Sequence, residues 1–278
     1  MDEQGFAWEG SQPIADPAGP PPVARGISLR AWDVAFALLA VVVAGGALLL
    51  TAGGGSSSST PVTLAADTST QQLGYRFDIT IGASASGFNF SLNGSGALNV
   101  RPSVSGSMNM SLLGNTVDEI FSGSYIYVQT APSSWYRANL PADAGNSATE
   151  QNPTAELDYL RAAGTVTDLG SETVNGVATE HYHALADLGR LASIEGDQDS
   201  PQTIATLEQE IGGSTLPLDV WIDSSHLVRR LSLSIPIKQG GVTINASVKI
   251  DFLSYGAQPV VAPPPASEVT ETPPPSGA

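Results

Sequence analysis

The sequence predicts a mostly β, α+β fold: a curved antiparallel sheet with a few helices on its apolar face, behind one N-terminal transmembrane helix. Three observations predict it. Apolar residues alternate with polar ones over most of the C-terminal two hundred residues, helix signals are confined to the middle of that stretch, and an uninterrupted apolar run spans Val34 to Leu50. Period two marks strands with one buried face, and strands followed by helices and then strands suit one sheet with helices laid on it.

The apolar run comes first. As a helix it is about 26 Å long, and flanking Ala31, Trp32, Thr51 and Ala52 extend it toward the thickness of a bilayer core. Arg25 and Arg30 precede it, and the next basic residue is Arg76, so the tail is expected inside and the remainder outside. The run exceeds an ordinary signal h-region, which favours an uncleaved signal anchor. The alternative is secretion after cleavage near Gly53, for which Thr51-Ala52-Gly53 offers small side chains. The organisation read from composition is a disordered cytoplasmic tail (1–30), the anchor (31–52), a Gly/Ser linker (53–70), an extracytoplasmic domain (71–258) and a proline-rich C-terminal tail (259–278).

Each strand rests on its alternation. Tyr75, Phe77, Ile79 and Ile81 form one row, and Phe88, Phe90 and Leu92 a second. Val104, Met108, Met110 and Leu112 follow, then Tyr125 to Val128. Leu218, Val220 and Ile222 lead through Ser224-Ser225 to Leu231, Leu233 and Ile235. After Gly240-Gly241 come Val242, Ile244, Ala246, Val248, Ile250 and Phe252, so the last three strands read as an antiparallel meander. Three helices are expected between the two groups. One is opened by Asn152-Pro153-Thr154 and closed by Gly164, one is opened by Asp187, and one runs from Ser200-Pro201 through Ile204, Leu207 and Ile211 to Gly212-Gly213.

Composition excludes whole classes of function. With no cysteine there is no disulfide, thiolate metal site or cysteine nucleophile. A formal charge of −16, with only Arg229 and Arg230 adjacent among the basic residues, argues against nucleic acid as a partner. His181 and His183 share a strand face at a spacing compatible with two metal ligands, but no third ligand is evident, and structural histidines are the preferred reading. No Gly-x-Ser-x-Gly elbow, paired carboxylates or phosphate loop stands out, so no catalytic residue, metal or cofactor is assigned. Trp135-Tyr136 and Trp221 suit either stacking on a sugar or covering the border of a sheet.

Several stretches resemble actinobacterial lipoproteins of the LppX/LprG type. They are Val166 to Val177 running on to His181-Tyr182, Leu216 to Asp223, and Phe252 to Gly256 with Pro263-Pro264 beyond, within a resemblance that covers about Thr68 to Val269. The resemblance implies a LolA-like antiparallel half-barrel that cups helices over a cavity for acylated lipids, hence a carrier of lipids, lipoglycans or lipid-linked glycans in the cell envelope. Its motifs are structural, and it implies no enzyme. The chain departs from the family at the anchor. Where the family has a Leu-x-Ala/Gly-Cys lipobox, this chain has Leu50-Thr51-Ala52-Gly53, so no thioether-linked lipid can form and attachment rests on the helix itself or is absent.

Expected partners are therefore an acylated lipid or glycolipid, the membrane through a single helix, and envelope export proteins. Candidate lipid contacts are Phe77, Ile79, Phe90, Met108, Met110, Ile204 and Leu207, the methionines being suited to an adaptable apolar surface. The competing reading is that these side chains fill a solid core. Gly87, Gly94, Gly96 and Gly106 are expected to permit sheet curvature and leave volume unfilled. A second class of function, an envelope interaction or sensor module without a cavity, fits the same pattern.

Overall fold

In a computed structural model of the chain, two antiparallel meanders meet at the strand pair β1–β11. The structure describes residues 60–85, 87–112, 114–130, 133–139, 157–195, 205, 208–239 and 241–271. The apolar run, the N-terminal tail, and Ile204 and Leu207 lie outside the described residues. Among the described residues, no helix is long and apolar enough to cross a membrane.

The first meander comprises β1 (Gly74–Ala85), β2 (Phe88–Asn99), β3 (Ser105–Leu112), β4 (Asn115–Ser122), β5 (Tyr125–Thr130) and β6 (Trp135–Asn139). The second comprises β7 (Ala163–Val174), β8 (Val177–Asp187), β9 (Thr215–Asp223), β10 (Val228–Gln239) and β11 (Val242–Tyr255). With β12 (Val269–Thr270) they make one open, curved sheet in the order β12-β6-β5-β4-β3-β2-β1-β11-β10-β9-β8-β7. Every pairing is antiparallel except that of β12 with β6. The expected meander of the last three strands is present as β9-β10-β11. The β7–β8 hairpin turns on Asn175 and Gly176, both at positive φ (48° and 82°), as a two-residue turn with that twist requires.

Alternation survives as burial. Tyr75, Phe77, Ile81, Phe90, Leu92, Leu218, Val220, Ile222, Ile244, Ile250 and Phe252 are buried on one side of the sheet. Helices cover that side at its β7–β10 end. In α1 (Pro61–Thr70) Val62, Ala65 and Ala66 are buried; α2 (Asp158–Arg161) adds Leu160 and α3 (Leu188–Glu195) adds Leu188 and Leu191. Arg161 ties two helices together, with Nε donating to Asp67 at 2.9 Å and Nη2 to Thr70 Oγ1 at 2.7 Å, while also pairing with Asp158.

Three boundaries differ from the sequence reading. The linker expected over 53–70 gives way to α1, because Thr60 caps the helix through Thr63 N (3.2 Å) and Pro61 supplies a preset first turn. The helix expected to close at Gly164 ends at Arg161, and Gly164 belongs to β7. The tail expected from 259 returns to the sheet: Val269 and Thr270 pair with Trp135 and Tyr136 of β6, and Glu271 pairs with Arg137. Asp187 opens α3 as expected, its carboxylate accepting from Arg190 N at 2.8 Å. Helical residues 208–211 end at Gly212, whose φ of +80° lets its N–H and that of Gly213 both reach Glu208 O.

Candidate functional site

Because cross-strand partners share a face, the register assembles the inner surface one rung at a time. One rung runs Phe252, Phe77, Gly96, Met108, Glu119, Val128 and Tyr136 across β11, β1, β2, β3, β4, β5 and β6. The neighbouring rung runs Ile250, Ile79, Gly94, Met110, Val117 and Thr130. Five of the seven candidate contacts, Phe77, Ile79, Phe90, Met108 and Met110, thus lie on the same face of three adjacent strands. Phe77, Phe90 and Met108 are buried, whereas Ile79 and Met110 are partly buried against the core.

The glycines of these rungs do not leave empty volume. A Cβ on Gly96 would lie 2.8 Å from the Phe77 ring, and one on Gly94 would lie 2.9 Å from Ile79 Cγ2 and 3.3 Å from Met110 Cγ. Large side chains of β1 and β3 therefore occupy the space the glycines vacate. Gly106, at φ +139°, has a different reason: a Cβ there would meet Ala97 O at 2.1 Å.

The inner face also holds a group that the sequence reading missed. Glu119 projects inward between Val117 and Phe121 and is 4% exposed. Burial pushes its carboxyl up to about 7. The other buried carboxylates face arginines: Asp223 takes Arg229 Nε at 2.6 Å and Asp251 takes Arg230 Nε at 2.5 Å. Asp223 also accepts from Ser225 N and Leu227 N, closing the β9–β10 turn. The signal available in the sequence was the alternation Val117-Glu119-Phe121, which puts a carboxylate in an apolar register.

On the outer face, β9 supplies the carboxylate that the histidine pair lacked in sequence. Asp219 Oδ1 lies 3.1 Å from His181 Nε2 and 3.2 Å from His183 Nδ1. Among the described residues, no group of three His, Asp or Glu is arranged to hold a metal ion. His181 stacks on Trp221 with ring centroids 4.1 Å apart, Arg230 lies over the same indole at 5.5 Å, and Trp221 Nε1 donates to Glu172 at 2.5 Å. With its neighbours on both sides and 9% exposure, Trp221 is a structural element of the outer face rather than a platform for a sugar. Trp135 and Tyr136 border the sheet, where β12 covers the edge of β6.

No family model matches the chain. An uncharacterized 31.2 kDa protein from the rplA-rplJ intergenic region of Streptomyces griseus is 30% identical over 125 residues, which is 44% of this chain and 40% of that protein. The match therefore spans well under half the length of that relative. Among solved structures, the chain is similar to lipoprotein LppX of Mycobacterium tuberculosis (TM-score 0.40, 14% identity, 73% of this chain and 99% of that one). It is also similar to LprF of Mycobacterium bovis (TM-score 0.41, 16% identity, 76% and 100%) and to a LolA superfamily protein of Nitrosomonas europaea (TM-score 0.21, 10% identity, 72% and 93%). The stretches at 166–177, 216–223 and 252–256 are those that resemble the LppX/LprG type, and LppX is among these structural neighbours.

Proposed function

We propose that the chain is a membrane-anchored extracytoplasmic protein that binds an acylated lipid or lipoglycan of the cell envelope and passes it on without covalent chemistry. The observation that supports this reading is the inner face: an apolar surface continuous over β1–β3 and β9–β11, with helices laid over one end and Ile79 and Met110 partly buried. Acyl chains are held by such a surface through area removed from water, worth about 25 cal/mol per Å². Retention at the membrane rests on the apolar run Val34 to Leu50, whose sequence carries no cysteine for acylation.

Native mass spectrometry of the purified full chain tests the proposal. The expected result is a reproducible population carrying a bound acylated lipid that survives dilution of the detergent. A folded chain that carries none, and that takes up neither added diacylglycerol nor added glycolipid, contradicts it and leaves the interaction or sensor module.

A further inference from the structure

We propose that the corner of the domain carrying Leu73, Arg101 and Val260 is a membrane-docking surface, laid against the anionic headgroups of the bilayer that holds the chain's own anchor. The inference rests on the anchored reading above and adds how the domain sits on that bilayer.

Hydrogen bonds bring together three residues that are far apart in the chain. Just before β1, Leu73 O accepts from Val100 N at 2.9 Å and from Arg101 N at 3.2 Å. Asn99 holds the segment that leaves β11: its Oδ1 accepts from Gln258 N at 2.7 Å and its Nδ2 donates to Gln258 O at 3.1 Å, with Val260 two residues further on. The C-terminal end of α1 closes the corner, Thr70 O accepting from Arg101 Nη2 at 3.3 Å.

This corner is apolar and basic at once. Leu73 is 53% exposed and Val260 82%, two of the four large apolar side chains exposed among the described residues, and a third, Leu64, lies on the outward side of α1. Arg76 and Arg101 are exposed, whereas the carboxylates beside the end of α1, Asp67 and Asp223, are paired with Arg161 and Arg229. A chain of formal charge −16 is repelled by an anionic surface except where arginines face it, so charge alone selects this orientation. Leucine and valine beside guanidinium groups suit the depth of a bilayer interface, where apolar groups enter the acyl boundary and arginine pairs with phosphate.

The tether permits the contact. Eight residues, Gly53 to Thr60, separate the flank of the apolar run from α1. In any conformation they reach at most about 29 Å, more than the roughly 15 Å that α1 itself spans. The corner at the far end of α1 therefore lies within reach of the bilayer surface.

The absence of native cysteine makes single labels clean. The full chain, carrying Leu73→Cys, Val260→Cys or Asn115→Cys with an environment-sensitive fluorophore, is placed in nanodiscs that contain a headgroup-spin-labelled lipid. Asn115 is exposed at the opposite end of the sheet, about 23 Å from Asn99 along the strands. In discs containing phosphatidylglycerol, quenching is expected to be several-fold stronger at positions 73 and 260 than at 115. Replacing phosphatidylglycerol with phosphatidylcholine, or combining Arg76→Gln with Arg101→Gln, is expected to reduce it. Quenching that is equal at all three positions, absent at 73 and 260, or indifferent to anionic lipid overturns the inference, the first and last without help from an arginine variant. Each of these leaves the anchor and the acyl-binding reading standing, because the chain is still held in the disc. A chain that does not enter the discs overturns both the docking surface and the anchor.

Discussion

Phe77→Ala is expected to destabilise the protein by about 3–5 kcal/mol, measured by urea unfolding. The ring is fully buried, packs against Tyr75 at 5.8 Å between centroids, and fills the space over Gly96. Its removal opens a cavity in the middle of a rung whose next member has no side chain to relax into it. The reciprocal substitution isolates the contact. Gly96→Ala places a Cβ 2.8 Å from the ring and 3.0 Å from Ser107 O, so it is destabilising in the wild type and less so beside Phe77→Ala. A cost below about 1 kcal/mol for Phe77→Ala would mean that this rung is loosely filled and that the residue is not part of the floor of the site.

Glu119→Gln is expected to stabilise the protein at alkaline pH and to leave it nearly unchanged in acid. The carboxyl rises from 4.5 to about 7 on folding, so between those values the native state holds a proton that the unfolded chain has released. Stability from this group is complete below about pH 4.5, declines as pH rises through the window, and is lost above about pH 7. The wild type then carries a buried carboxylate at a cost on the order of 3 kcal/mol, which the neutral amide avoids. Urea unfolding of both proteins across that pH range measures the difference. A variant that is less stable than wild type above pH 7 would show instead that the native state favours the ionised carboxylate.

Period two carried much of the architecture because a strand's face is a local property: the rows read at Tyr75 to Ile81 and Val242 to Phe252 lie buried in the structure except at Ile79 and Val242, which are partly buried. The same rule brought five candidate contacts onto one face before any pairing was known. Strand β7 was not legible, since nearly every residue between Ala163 and Val174 is exposed and no alternation remains to be seen. Register was not legible either. Nothing local to Met108 and Glu119 says that they are partners, nothing local to His181 and His183 points to Asp219, and the Phe77 ring fills the space of a glycine nineteen positions away. Helix α1 carried its signal in Thr60-Pro61, but the Gly/Ser run before it and its few large apolar residues disguised it as linker.

Site-specific photocrosslinking in membranes tests the central claim most directly. Benzoylphenylalanine placed at Phe90 or Met110 of the full chain should crosslink to acyl chains, identified by mass spectrometry of the adduct, whereas the same probe at outward-facing Ser95 or Ser232 should not. Adducts confined to the inner positions are the result this account requires. Equal labelling of both faces, or protein adducts alone at the inner positions, would contradict it.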